Sequence, residues 1–175
     1  DGEDVALFER AKAEFEANRE TLNYPTQAIP NQGAKTKVDC DMEGHGYHYW
    51  YEMFSERQLL CLCRLRDAIM AVADQNVREY LLLAWSDFLS FNNVYCRYNP
   101  SAQKQQEVFA THAFNPTVTY TEPNIWGAEY GTGSYSKYSA KMMEGPRWAA
   151  ATDDNYFTTD DDYAKRVIGD GIYWR

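Results

Sequence analysis

The sequence predicts a mainly α domain with a small β element, an α+β fold, and three observations carry that reading. Two apolar runs of helical length, SERQLLCLCRLRDAIMAVA (55–73) and NVREYLLLAWSDFLSF (76–91), stand back to back. An amphipathic segment opens the chain, and only short stretches such as TVTYT (117–121) alternate like strands. A chain of 175 residues is long enough to bury a real core as one domain or slightly more.

Residues 3–21 are predicted helical because Val5, Phe8, Ala11, Phe15 and Leu22 recur at helical spacing while Glu, Lys and Arg fill the other face. YPTQAIPNQGAKTK (24–37) has two prolines, a glycine and no periodicity, which reads as an extended connection. DCDMEGHGYHYW (39–50) follows. Cys40, His45 and His48 are zinc-ligand types, but no close Cys or His pair accompanies them and the flanking glycines break helical spacing, so no metal is expected. The expected role is an acidic loop running into aromatic packing anchors, Tyr47, Tyr49 and Trp50, or a strand through Tyr51.

Ser55 and Gln58 form a capping box ahead of the first long run. Both long helices are apolar around most of their circumference, as expected of elements buried between neighbours. One polar stripe interrupts them: Arg57 and Arg64 share a face, with Asp67 one turn on as the expected ion-pair partner of Arg64. In NNVYCRYNP (92–100), Asn93 suits a helix end and Pro100 blocks continuation. Ser101 is expected to cap a short helix through Ala110, with Lys104, Gln105 and Gln106 facing outward. EPNIWGAEYGTGSY (122–135) is a glycine- and aromatic-rich loop whose GTGSY end could cradle an anion, and SYSKYSAKMMEG reads as a last helix closed by Gly145 and Pro146. In the tail, AKRVIGDGIYWR suggests a hairpin around Gly-Asp-Gly.

A formal charge of -9 and a pI near 4.8 exclude an autonomous, nonspecific nucleic-acid binder, so any DNA contact must be local. Seven lysines, with acids bunched in TDDNYFTTDDDY (152–163), also fit adaptation to high salt. Nothing approaches membrane-span length and no leader pattern opens the chain, so a soluble, cytoplasmic protein is expected. Cys40, Cys61, Cys63 and Cys96 lack zinc or redox spacing and are expected to be reduced. The start Asp-Gly-Glu, without an initiator methionine, suggests a fragment or a processed chain. Glycine-rich phosphate loops and Gly-x-Ser-x-Gly elbows are missing from the sequence. His112, beside Phe109 and Phe114, could act as a base or simply pack.

The order of three motifs is more informative. GYHYWYEMFSERQLLCL, then NNVYCRYNP, then FATHAFNPTVTYTEPNIWG with EYGTGSYSKY, resembles the central region of a family of adenine-specific DNA methyltransferases of archaea and bacteria, often found in phage-defence loci. That family has a tyrosine-rich lead-in to Phe-x-x-Arg-Gln-Leu, an Asn-x-x-x-Cys-Arg-aromatic element, and an acid-x-Asn loop that often continues Trp-Gly. The resemblance covers residues 24–148, between an N-terminal helix (1–23) and an acidic tail (149–175) whose VIGDG resembles a strand leading back to the methyltransferase core.

The resemblance implies a parent enzyme that uses S-adenosylmethionine and flips an adenine out of DNA. Its cofactor-binding glycine turn and Pro-Pro-aromatic catalytic motif are not in this chain: Asn99-Pro100-Ser101 and Asn115-Pro116-Thr117 lack the second proline and the aromatic. The chain therefore corresponds to an inserted, helical, DNA-facing or scaffold region with no catalytic activity of its own. Arg57, Gln58, Arg64, Asn92, Asn93 and Arg97 are the candidate DNA contacts, being side-chain types that read phosphates and bases; Arg97 beside Cys96 and Asn92 at a helix end could instead cap buried carbonyls and hold the two long helices together. His112, Glu122, Asn124 and Trp126 are candidates to lie near the parent's active site, with pinning of the loop as the other role open to the last three. The alternative is a noncatalytic acidic module that docks a protein partner within a defence complex.

Overall fold

A computed structural model of the chain describes residues 2–30, 42–110, 121–127, 133–150, 153–157 and 163–167. The fold is α+β and mostly helical. Its helices are α1 (Gly2–Ala17), α2 (Glu56–Met70), α3 (Gln75–Phe88) and α4 (Tyr135–Ala150), with two antiparallel strand pairs, β1 (Arg97–Asn99) with β2 (Lys104–Gln106) and β3 (Asp153–Phe157) with β4 (Tyr163–Val167). The chain divides into two compact units, 1–138 and 139–175. The expected 1–23 segment is part of the first unit, where α1 packs on α2.

α1 ends earlier than its pattern predicts, and Asn18 to Leu22 form turns. Val5 is exposed, while Phe15 is buried with Leu59 and Leu60, flanked by Ala11, Leu22, Tyr24, Tyr51 and Phe54. Tyr24 links this core to the aromatic lead-in, its ring 5.4 Å from Phe15 and 5.5 Å from Tyr51. The extended connection pairs with the lead-in as a single bridge, Ala28 to Tyr49, closed by Ile29 N–H to His48 O at 2.8 Å. Residues Trp50–Met53 then form one 3-10 turn rather than a strand, because the Glu52 carboxylate accepts from the His48 and Tyr49 amides and closes the backbone. Of the expected anchors, Tyr47 packs on Tyr95 (5.2 Å) and Tyr49 stacks on Tyr51, whereas Trp50 stays partly exposed.

The capping box at α2 forms as read. Ser55 Oγ accepts from Gln58 N–H at 3.2 Å, and Gln58 Oε1 accepts from Ser55 N–H at 3.0 Å. Ser55→Ala is expected to destabilise the chain by about 1–2 kcal/mol, read as a lower urea midpoint with an unchanged slope, because the cap is buried.

α3 is capped by Asp74, which accepts from Val77 N–H at 3.0 Å. Only Ala84 and Phe88 of α3 are buried; Val77, Tyr80 and Leu83 are about half exposed, so α3 is not the enclosed helix its composition predicts. Phe88 sits against Tyr135 (5.6 Å) and Tyr138 (6.3 Å).

The short helix expected from Ser101 is instead the β1–β2 hairpin. Asn99 Oδ1 accepts from Ala102 N–H at 3.1 Å, an Asx-type turn that competes with helix capping at Ser101, and Gln103 takes a left-handed φ of 47°. Gln105 is buried rather than outward-facing, donating through Nε2 to Phe91 O (2.7 Å) and Thr121 O (3.2 Å). The helix expected to stop at Gly145 runs through Pro146 to Ala150, losing one ladder bond at the proline. In the tail the strands that pair are 153–157 and 163–167, so part of the acidic run is a strand; Gly169 to Gly171, the expected turn, lie outside the described residues. TVTY of the expected 117–121 strand also lies outside them.

Candidate functional site

One face of α2 carries Arg57, Gln58, Cys61, Arg64, Leu65 and Ala68 at helical spacing. Together with Glu122, Pro123, Asn124, Ile125 and Trp126 these residues line a cleft of about 640 Å³. Five of the ten candidate residues are joined here with Arg57: Gln58, Arg64, Glu122, Asn124 and Trp126.

Arg57 and Glu122 tie the two walls together, Nε to Oε2 at 2.7 Å and Nη2 to the same oxygen at 2.5 Å. The Glu122 side chain is 9% exposed and that of Arg57 39%, so the pair is sheltered mainly on the acid side. The guanidinium also lies 5.3 Å from the Phe8 ring centre, a cation–π contact from α1. Arg64 is paired with Glu14 of α1 and not with Asp67, which instead meets Arg66 at 3.2 Å. The correction is geometric: packing α1 on α2 brings a carboxylate to Arg64 from outside its own helix.

The opposite wall is held firmly. Tyr135 N–H donates to Ile125 O (2.8 Å), Ser136 N–H to Trp126 O (2.9 Å), and Gly127 N–H to Asn124 Oδ1 (3.1 Å). Two amides of the first turn of α4 are thus engaged by this segment, which displaces the anion-cradle reading for those donors. A Cβ at Gly127 would fall on Ser136 Oγ and turn that hydroxyl aside, so the segment packs closely on the first turn of α4 here. Trp126 is nonetheless 66% exposed, its ring 6.1 Å from Tyr135. Cys61, on the α2 wall, has its thiol pushed up by burial against the opposing pull of Arg64 and Arg57, and it remains a neutral lining group.

Asn92 and Asn93 are placed elsewhere and differently. Both are buried: Asn92 Nδ2 donates to Phe88 O (2.9 Å) and Gly133 O (2.8 Å), and Asn93 Nδ2 to Leu89 O (3.0 Å) and more weakly to Ser90 O. Their amides close the end of α3, and neither faces solvent as a DNA-contacting side chain must. Arg97 opens β1 opposite Gln106, half-buried, and is not among the residues lining the cleft. His112 lies outside the described residues, as does Cys40. Among the described residues no group of three or more His, Cys, Asp or Glu side chains is placed to hold a metal, and no helix is long and apolar enough to cross a membrane.

Sequence reasoning missed Phe8 and Glu14, which hold the two cleft arginines from α1. Only the spacing of apolar residues in 3–21 hinted that α1 packs, and nothing in it names the partner helix. Comparison with family models, with curated proteins and with solved structures finds no match to this chain.

Proposed function

We propose that this chain is the inserted, DNA-facing region of an S-adenosylmethionine-dependent, adenine-specific DNA methyltransferase, acting in target recognition or as a scaffold without catalytic activity of its own. The observation that supports it is the convergence of the three motifs that carry the resemblance. Arg57 of the first is bonded to Glu122 of the third, Thr121 N–H donates to Cys96 O of the second (3.3 Å), and Val94 N–H donates to Met53 O (2.8 Å). Asn99, in one of the two Asn-Pro sequences, uses its side chain to close a turn, which agrees with a noncatalytic role. The sequence has no Gly-x-Gly-x-x-Gly pattern to hold S-adenosylmethionine, so on this reading that group would be held by other parts of the parent enzyme.

The test is methyl transfer by the product of the complete reading frame. The wild type is expected to form N6-methyladenine in duplex DNA, and Arg57→Ala to lower kcat/KM by about tenfold or more with circular dichroism unchanged. A product that methylates no adenine, from a frame without a Pro-Pro-aromatic motif, would remove the reading.

A partner-docking module is the second reading. The apolar stripe of α3 favours it, since Val77, Tyr80 and Leu83 are 49%, 48% and 57% exposed at i, i+3, i+6 spacing. Failure of methylation and DNA binding together, with co-purification of a protein lost in Tyr80→Ser, would select it.

A further inference from the structure

We infer that the cleft between α2 and the 122–126 segment receives one unpaired DNA nucleotide, its base stacked on Trp126 and its phosphate met by Arg64. This deepens the DNA-facing reading and rests on it. The inference begins with Trp126, an indole two-thirds exposed on a segment whose backbone is tied down on either side by Tyr135, Ser136 and Asn124. A large ring exposed to water on an anchored backbone gains little from its own fold, but its fixed base favours stacking on another flat ring.

The rest of the cleft fits the same ligand. Its volume of about 640 Å³ falls within the range of small-molecule sites, about 300–1,000 Å³, and leaves room for a nucleotide but not for a stacked duplex. Leu65, Ala68 and Ile125 supply apolar lining for a base. Arg64, with its side chain 60% exposed, has five N–H donors and only one carboxylate partner shown, so further donors remain for a phosphate at the mouth. Arg57 is held by the sheltered Glu122, which leaves the inner part of the cleft near neutral and directs an anion toward Arg64.

Gln58 is the second, independent observation. It is 1% exposed and lines the cleft, and its Oε1 is fixed by Ser55 N–H, which determines the orientation of the amide. Its Nε2 is left without a hydrogen-bond partner. A buried donor in that condition is uncommon in native folds; it is closed off from the cleft here, so an acceptor on a base edge would complete it only after the side chains over it shift.

The experiment is fluorescence anisotropy with the whole chain and a labelled, short single-stranded oligodeoxyadenylate, the same strand with one abasic position, and dAMP as competitor. Trp126→Ala is expected to weaken binding of the intact strand by about ten- to hundredfold, and Trp126→Phe to retain most of it. Against the abasic strand, the difference between wild type and Trp126→Ala is expected to shrink. Equal binding of the intact strand by wild type and Trp126→Ala would overturn the inference, as would no binding of the strand at all. Binding of dAMP as tight as that of the strand would assign the cleft to a free nucleotide and overturn the DNA source. The DNA-facing reading is judged separately: adenine methylation by the full reading-frame product, impaired by Arg57→Ala but untouched by Trp126→Ala, would keep it while removing this one.

Discussion

Phe88→Ala is expected to destabilise the first unit by about 3–5 kcal/mol, the largest effect of any single truncation in α3. Phe88 is fully buried, and its ring meets Tyr135 and Tyr138, so the substitution removes the apolar contact between α3 and the start of α4 and leaves a cavity bounded by rings too stiff to collapse into it. Leu83, five residues away on the same helix and 57% exposed, provides the control: Leu83→Ala should change stability by no more than about 0.5 kcal/mol. Urea unfolding of the two variants measures the contrast. Equal losses would mean that α3 buries a different face.

Asn92→Ala is expected to lower stability by about 2–3 kcal/mol, because one truncation strands two buried carbonyls, those of Phe88 and Gly133. The loss is tempered by Asn92 Oδ1, which already lacks a partner and is removed by the same change. Asn92→Asp separates hydrogen bonding from size. An ionised carboxylate can only accept, and it would face the same two carbonyls. Burial and those carbonyls raise the folded-state pKa of the new group above its unfolded value, so folding favours the protonated form. The stability of Asn92→Asp should therefore increase as pH falls from about 7 toward 4, where the carboxyl can donate one bond. Thermal melts across that range measure it. A stable Asn92→Ala that instead bound DNA more weakly would return Asn92 to the surface as a base contact.

The same residue shows what the sequence could and could not disclose. Asn92 and Asn93 were legible as residues suited to a helix end and equally as residues suited to DNA; only burial decides between those uses, and burial is a property of the whole fold. α2 was readable because its signals are local: the Ser55–Gln58 box sets its start and an uninterrupted apolar run continues it. The 97–106 hairpin was not, since it depends on an Asx-type turn at Asn99 and on Gln105 reaching carbonyls of Phe91 and Thr121, contacts that no short window contains. Pro146 marked a helix end by every local rule, yet α4 continues past it. For the cleft, the residue types at Arg57, Gln58, Arg64, Asn124 and Trp126 could be singled out in advance. Their assembly could not, because Arg57 and Glu122 stand 65 residues apart and the carboxylate on Arg64 comes from α1.

The two cleft arginines are each already matched by a carboxylate of the same chain, Glu122 on Arg57 and Glu14 on Arg64. An arriving phosphate would therefore share Arg64 with Glu14, taking the guanidinium donors that the acid leaves open rather than meeting a bare cation. The acid stays in place and its charge offsets part of the attraction, so such a site discriminates against bulk anions and responds to salt less steeply than its arginine count implies. For a chain of charge -9, this is a way to admit a single anionic group at one chosen place while the rest of the surface turns nucleic acid away.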